Sequence, residues 1–440
     1  MKLRVLLLSA FFGLGAAVVE ATDIAEPIDV APVWSAHPVG FSLLTHGEKQ
    51  FVAFYDAERT MTVGVRGLEE EEFTFVQLPR RTGWDSHNYI TMAVGNDGFL
   101  HLTGDMHGSK LLYFRTERPG DISTFRQIEE MVGRDETRMT YPRFFRGAGN
   151  ELIFTYRQGG SGNGEQIYNR YEPETRTWKR LLDQPLVSGE GLKNAYLDGP
   201  RRGPDGFYHL AWIWRDTPDC ETNHHISYAR SRDLMKWERG DGKPLELPIT
   251  FGSGAVVDPV EPEGGAINNN VRLGFDSRHR PIISYHKFDG DGNTQIYNAR
   301  LEEGEWKIYQ TTNWKHRWWF EGRGSIIFKL RVRNVAPVSE GRLRQDFDHW
   351  VYGNRRLMLD EETLQPVEER EVPRSRPEEL EVVESDFPGM QVRWAGDSGR
   401  SPDGSRYLLR WETLPQNRDR ARKGDLPEPT MLRLYDLGGD

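Results

Sequence analysis

The sequence predicts an all-β fold, a seven-bladed β-propeller in a single domain. Three observations predict it. Apolar residues almost nowhere recur at the three- and four-residue spacing of an amphipathic helix. Short strand-like runs return along the chain, each announced by a Gly, Asn, Asp or Pro turn. Polar hairpins that close on a tryptophan return beside them.

The turn-led strands come in order: NDGFLHL from Asn96, GNELIFTY from Gly149, PDGFYHLAWIW from Pro204, DSRHRPIISYH from Asp276 and PDGSRYLLRW from Pro402. The first four starts are 53, 55 and 72 residues apart. Repeats of about 40–50 residues with several strands each mark propellers, and longer spacings are absorbed by loops. The hairpins are YNRYEPETRTWKRL (168–181), YARSRDLMKWERG (228–240) and YNARLEEGEWKIYQ (297–310). In the middle one, Ser231 to Trp237 has the form S-x-D-x-x-x-W, a degenerate Asp-box. That device shapes hairpin turns in sialidase-like propellers, so its role here is structural. Seven blades give roughly 60 residues each, and six or eight also fit the arithmetic.

Before the propeller, Lys2 and Arg4 lead an apolar run, Val5 to Val19, and then Val19-Glu20-Ala21. This reads as a secretory signal peptide over residues 1–21, leaving a catalytic propeller domain over 22–440. The run is shorter than the roughly 20 residues of a membrane span, and no later segment is long and apolar enough. A secreted or periplasmic location is expected, with no membrane span and a monomeric chain. The formal charge of −10 argues against general nucleic-acid binding. It leaves polyanions open, because a local cationic cleft can outweigh the net field. The lone Cys220 excludes an intramolecular disulfide and leaves a buried thiol, a reactive thiol or a metal ligand.

Three clusters carry candidate chemistry. The first is GWDSHNYITMAVGNDGFLHLTGDMH, residues 83–107, with three of the twelve histidines. His101 alternates with apolar neighbours and reads as a packing residue. His87 precedes one strand and His107 ends the next. Antiparallel pairing brings such positions to one rim of a blade. The second cluster is MTYPRF (139–144) followed by LIFTYRQGGSGNG (152–164). Pro142 predicts extended backbone at Tyr141. Arg157 ends an apolar strand before a glycine-rich loop, ready to pair a carboxylate. The loop lacks the Lys-Ser/Thr of a phosphate-binding P-loop. The third cluster places His209, Cys220, His224 and His225 within 17 residues, with His286 further on. Thiolate and imidazole suit zinc. One structural zinc on His209, Cys220, His224 and His286 is expected, with His225 in reserve, because adjacent strand residues point to opposite faces. No organic cofactor is expected.

WDSHNYI, HLTGDMH, TYPRF, FTYRQGGSG, NAYLDGP, GPDGFYHLAWIWR, TPDCETNHHISYARS and YHKFDGDGNTQIYNAR together resemble the BNR-repeat polysaccharide lyases, the ulvan lyases above all. The resemblance runs from about Gly40 to Pro366. It implies cleavage of a sulfated rhamnose–uronate polysaccharide beside a uronic acid. It further implies paired histidines at His87 and His107, a catalytic tyrosine at Tyr141, a carboxylate-binding arginine at Arg157 and a further site tyrosine at Tyr196. A structural zinc with His and Cys ligands is also implied for some members. Uronate elimination needs the carboxylate neutralised, the C5 proton removed and the leaving oxygen protonated. Arg157, with Asn88 as a neutral donor, suits the first task, and His87, Tyr141 and His107 suit the others. Two alternatives stand beside this reading. One is a glycoside hydrolase of the α-L-rhamnosidase type at rhamnose–glucuronate linkages, which conventionally needs two carboxylates such as Asp85 and Asp105. The other is a non-catalytic carbohydrate-binding propeller whose Trp318 and Trp319 stack on sugars.

Overall fold

The structure, a computed structural model, describes residues 26–372, 376 and 378–438; the expected leader lies outside the described residues. The chain is an all-β propeller of seven antiparallel sheets with four to six strands each. Among the described residues, helix is confined to four short 3-10 turns. No helix of the structure is long and apolar enough to cross a membrane.

The sheets follow the chain. Strands Ser42–His46 to Thr74–Arg81 form the first, and Thr91–Val94 to Phe125–Gln127 the second. The third is built on Met139–Arg146 and Leu152–Gly160, the fourth on Asn194–Arg202 and Tyr208–Arg215. The fifth opens with Arg272–Phe275, the sixth with Leu330–Ser339 and the seventh with Gln391–Gly396. First strands of neighbouring sheets lie side by side, as with Arg272–Phe275 and Leu330–Ser339. The N-terminal strand Ile28–Val33 pairs antiparallel with Thr430–Asp436, Ile28 opposite Leu434. It completes the seventh sheet and ties the two ends of the chain together.

The turn-led strands become central strands because both their faces are covered. Tyr208–Arg215 is buried throughout, which is why it reads as an unbroken apolar run. The Asp-box folds as its pattern implies. Asp233 accepts from the amides of Met235 and Lys236 at 2.8 Å, and buried Trp237 donates to the Leu234 carbonyl at 3.0 Å. His101 packs in the second sheet, fully buried, with Nδ1 2.7 Å from the Tyr113 hydroxyl.

Two local readings are corrected. His107 does not end the strand Leu100–Thr103. Asp105 takes a left-handed φ of 52°, the chain turns, and His107 opens the short strand His107–Ser109. That strand crosses to the third sheet, where His107 lies opposite Thr140. Tyr141 is not extended either. A bulge between Thr140 and Arg143 gives it a φ of 59°. Bulges re-aim side chains beside active sites, and this one overrides the preference that Pro142 imposes.

Candidate active site

His87 and His107 meet across the boundary between the second and third sheets. Their rings stack with centroids 4.0 Å apart. Asp85 holds both. Its Oδ1 lies 2.7 Å from His87 Nδ1 and also accepts the His87 amide at 2.9 Å. Its Oδ2 lies 2.5 Å from His107 Nδ1. Burial pushes the Asp85 carboxyl up, but the bonds from His107 and His87 outweigh it and hold the group well below the usual carboxylate range. An ionised Asp85 accepts a proton-bearing Nδ1 from each ring. Each Nε2 is thereby left as the atom available for proton transfer.

Tyr141 stands beside this pair, its ring 5.6 Å from that of His87 and 6.1 Å from that of Tyr196. Burial, then Tyr196, drive its phenol well above the ordinary range, against the pull of Arg157 and Arg215. It is therefore a proton donor at neutral pH. Tyr196 is set by Ser161, whose Oγ lies 2.8 Å from its hydroxyl. The glycine-rich loop makes that contact possible. Gly162 has a φ of 75°, and a Cβ there would sit 2.6 Å from the Asp216 carbonyl.

These side chains open onto a cavity of about 350 Å³, whose wall includes His87, His107, Tyr141, Ser161, Tyr196 and Arg215. Asn268, Asn269, Arg323 and Arg331 also line it, and among the described residues no carboxylate does. In a chain with a net charge of −10, that is a concentrated cationic and hydrogen-bonding surface.

Arg157 is placed differently from the expectation. It is only 2% exposed, and its guanidinium sits behind Tyr141 and Tyr196, 5.0 and 5.9 Å from their ring centroids. One nitrogen donates to Thr140 Oγ1 at 3.1 Å, while Nε and Nη1 have no partner. Its charge reaches the cavity through the tyrosines. Arg215, which the sequence reading passed over, forms the wall itself. Its Nε donates to the Thr217 carbonyl at 3.0 Å, and its Nη2 to that of Pro218. The available signal was its position: like Arg157, it comes at the end of an apolar central strand. Asn88 lies away from the cavity, buried, with its amide donating to Thr82 at 3.2 Å.

A second missed residue is Asp419. It accepts from the Ser86 amide and hydroxyl at 3.1 and 2.8 Å, and from the Ser325 amide and hydroxyl at 3.0 Å each. His87 Nδ1 is 3.7 Å away. Asp105 turns elsewhere, to Arg80 and to Thr82 at 3.0 Å.

The four expected zinc ligands are not gathered into one site. His209 spends both nitrogens, one on the Tyr228 hydroxyl at 2.6 Å and one on Asp205 at 2.8 Å. His224 bonds Asp216 at 2.9 Å and His225 at 2.8 Å. A bulge puts the two imidazoles in contact despite strand alternation. Burial pushes the Cys220 thiol up, the reverse of what a thiolate ligand requires. His286 lies against Trp318, its pKa lowered by burial to about 3. The residues present do not fit a shared cation. Among the described residues, Asp85, His87 and His107 are the one group of three whose ligating atoms lie within 4.8 Å of one another. Both Nδ1 atoms there are already engaged with the carboxylate.

Residues 49–314 match the family described as BNR repeat-containing family member. The chain belongs to that family. The long-isoform ulvan lyase of a Pseudoalteromonas strain is 26% identical over 290 residues, 52% of this chain and 29% of that protein. The long-isoform ulvan lyase of a Glaciecola strain is 24% identical over 230 residues, 40% of this chain and 23% of that protein. The matched region thus spans less than a third of either long relative. Among solved structures, the polysaccharide lyase Uly1 superposes with a TM-score of 0.61 at 15% identity, covering 96% of this chain and 94% of that one. A PL25 ulvan lyase gives 0.57 at 12% identity, covering 94% and 96%. These likenesses establish the propeller. The BNR-family match contains His87, His107, Tyr141, Arg157, Tyr196 and Arg215, and stops short of Ser325, Arg331 and Asp419.

Proposed function

We propose that the chain is a polysaccharide lyase that cleaves a uronic-acid polymer of the ulvan class by β-elimination. The observation that carries this is the cavity: imidazole, phenol and guanidinium line it, and among the described residues no carboxylate does. Ulvan lyases among the relatives, and a PL25 ulvan lyase solved with a -[GlcA(1-4)Rha3S]- fragment, support the substrate class.

The roles follow from the geometry. Arg215 in the wall and Arg157 behind Tyr141 stabilise the charge that builds on the uronate as C5 loses its proton. His87 Nε2 takes that proton. Asp85 fixes the tautomer and stabilises the imidazolium, as a buried carboxylate does for a catalytic histidine. The C5–H electron pair forms the C4–C5 double bond, the C4–O bond breaks, and Tyr141 gives its proton to the departing oxygen. His107, on the same carboxylate, is a second base or a positioning group. Asn88 is too far inside the fold to serve as the expected donor, and Asn268 and Asn269 take that place.

Conventional hydrolysis needs two carboxylates flanking the bond. Asp85 is committed to the imidazoles and Asp105 to Arg80 and Thr82, so the hydrolase reading loses ground. An exported location fits a substrate of this size and rests on the leader expected over residues 1–21. The test is incubation with ulvan and other uronate polymers, followed by product mass and ultraviolet absorbance. An unsaturated product lacking added water is expected. A hydrated product, or binding with no cleavage, would overturn the assignment.

A further inference from the structure

The cavity has a second cationic wall that the elimination does not use. Arg331 lines it from the first strand of the sixth sheet, with its guanidinium 4.8 Å from the Phe328 ring centroid. Arg323 lines it from the preceding loop, its Nε paired with Asp219 Oδ1 at 3.0 Å. Arg393, on the first strand of the seventh sheet, donates to Gln416 Oε1 at 3.3 Å, and Gln416 is part of the cavity wall. Arg333 lies two residues along from Arg331, and Arg272 sits on the adjoining first strand of the fifth sheet.

The register between those two strands is fixed. The Asn270 amide donates to the Leu330 carbonyl at 2.9 Å and accepts from the Val332 amide at 2.9 Å, bracketing Arg331. Further along, a Cβ on Gly274 would sit 2.2 Å from the Val335 carbonyl. Arg272 and Arg333 are therefore held level with each other on the adjoining strands, with Arg333 exposed and lining a separate cavity beside Asp346 and Glu371. Among the described residues, no carboxylate lies within ion-pair distance of Arg331, Arg333 or Arg393. Arg272 lies 4.0 Å from Asp198 and donates to the Val271 and Asn269 carbonyls at 3.0 and 2.6 Å. Burial, then Arg333 and Arg272, push the Arg331 guanidinium below its usual range, with Asp348 opposing. Burial and then Arg331 do the same to Arg393.

Uncompensated like charges on neighbouring strands are costly, and an anion relieves them. Guanidinium forks arriving from two strands and a loop suit a tetrahedral oxyanion, which offers more acceptor oxygens than a carboxylate. We propose that Arg331 and Arg393, with Arg323 at the mouth, form an oxyanion site of the sulfate or phosphate class. It is separate from the uronate-binding wall at Arg215 and Arg157. The oxyanion is either a sulfate ester on the polymer, which rests on the lyase reading, or a free inorganic ion, which does not.

The full chain is melted in millimolar sodium sulfate against sodium chloride at matched ionic strength. The wild type is expected to gain stability saturably with sulfate. Arg331→Gln and Arg393→Gln, each made alone in case one fails to fold, should raise the half-saturating concentration roughly tenfold or more. Arg126→Gln, on the exposed edge of the second sheet, should not. In a second arm, retention in gels holding ulvan or chemically desulfated ulvan is compared. If the anion is carried by the polymer, Arg331→Gln weakens retention by ulvan and not by the desulfated form. If a free ion fills the site, only the melting response is lost. Both results support the site and assign its source. Equal responses of wild type, Arg331→Gln and Arg393→Gln in both arms overturn it. Neither arm reads cleavage, so this site and the lyase assignment fail independently.

Discussion

Replacing Asp85 with asparagine should disable the site while leaving the fold intact. The carboxylate accepts three hydrogen bonds, from His87 N at 2.9 Å, His87 Nδ1 at 2.7 Å and His107 Nδ1 at 2.5 Å. An amide of the same shape has one acceptor oxygen and one donor nitrogen. It can serve His87 through its oxygen, but it then meets His107 with N–H against N–H. One ring must move its proton to Nε2, which removes the basic lone pair from the cavity, or rotate away. The charge that steadies the developing imidazolium is lost as well. A hydrogen bond to a charged group contributes about 1.5–3 kcal/mol, and two are weakened. We expect kcat/KM to fall roughly 10²–10³-fold, equivalent to about 2.7–4 kcal/mol in the barrier. That lies inside the 10²–10⁴-fold range for losing a general base altogether. The fall should be mostly in kcat, because Arg215 and Tyr196 still bind. The assay is the rise of unsaturated product from ulvan in the ultraviolet, paired with ¹⁵N spectra of the histidine rings that report which nitrogen holds the proton. Activity within threefold of wild type at an unchanged melting temperature would refute the reasoning. So would unaltered ring tautomers in the variant.

Tyr141→Phe should cost activity 10²-fold or more and leave melting nearly unchanged, since among the described residues the Tyr141 hydroxyl has no hydrogen-bond partner in the fold; a fully active variant would move the acid role elsewhere. The pH dependence of melting should expose the buried histidines. Burial lowers the pKa of His101, that of His286 to about 3 and that of His349 to about 4. Below the ordinary value of about 6.5 the unfolded chain takes up protons that the folded chain refuses. Stability is therefore full above pH 6.5 and falls as pH drops towards 4, by up to about 1.4 kcal/mol per pH unit for each such group; a flat profile across that window would contradict their burial. His209→Gln should destabilise by about 1–3 kcal/mol through lost bonds to Tyr228 and Asp205, and a chelator should leave wild-type melting unchanged. A chelator-sensitive wild type, with zinc found by elemental analysis, would restore the expected metal at His209, Cys220, His224 and His286.

What the sequence disclosed and what it hid divide along physical lines. Strands, turns and the Asp-box depend on neighbours within a few residues, so periodicity and turn chemistry expose them. The meeting of His87 and His107 was legible because a short segment carries both. Its cause was not: the two rings share one carboxylate across a sheet boundary, and Asp85 was read only as a possible hydrolytic carboxylate beside Asp105. Tyr141 was found for its neighbourhood, yet its left-handed φ of 59° comes from a bulge that no residue beside Pro142 announces. Arg157 and Arg215 each follow an apolar run in a central strand, Arg157 three residues before its strand ends at Gly160 and Arg215 at its strand's end, and only the structure shows which one meets the cavity and which one lies behind. The zinc expectation grouped residues close in sequence. Strand geometry then sent His209 to Asp205 and Tyr228, and His286 against Trp318 and Phe320.

Asp419 shows why the last sheet belongs to the active site. It lies more than 300 residues from His87 in sequence and outside the family match over 49–314. Its two oxygens nonetheless hold Ser86, the residue before His87, and Ser325, two residues after Arg323. Burial pushes its carboxyl up, but His37 at 3.7 Å, the bonds from Ser86 and the nearness of His87 outweigh that and keep it ionised. A single half-buried charge thus ties together the loop after the first sheet, the loop before the sixth and the loop inside the seventh. Each loop alone would be free to drift, and a proton-transfer pair tolerates little drift: reacting atoms must approach within about 3–3.5 Å. The N-terminal strand matters for the same reason. By pairing Ile28–Val33 with Thr430–Asp436, it fixes the seventh sheet, and with it the position of Asp419 against His87. On the proposed mechanism, closure of the ring positions the site as well as the scaffold. The repeats build the scaffold blade by blade, but the site is assembled only when the last blade meets the first.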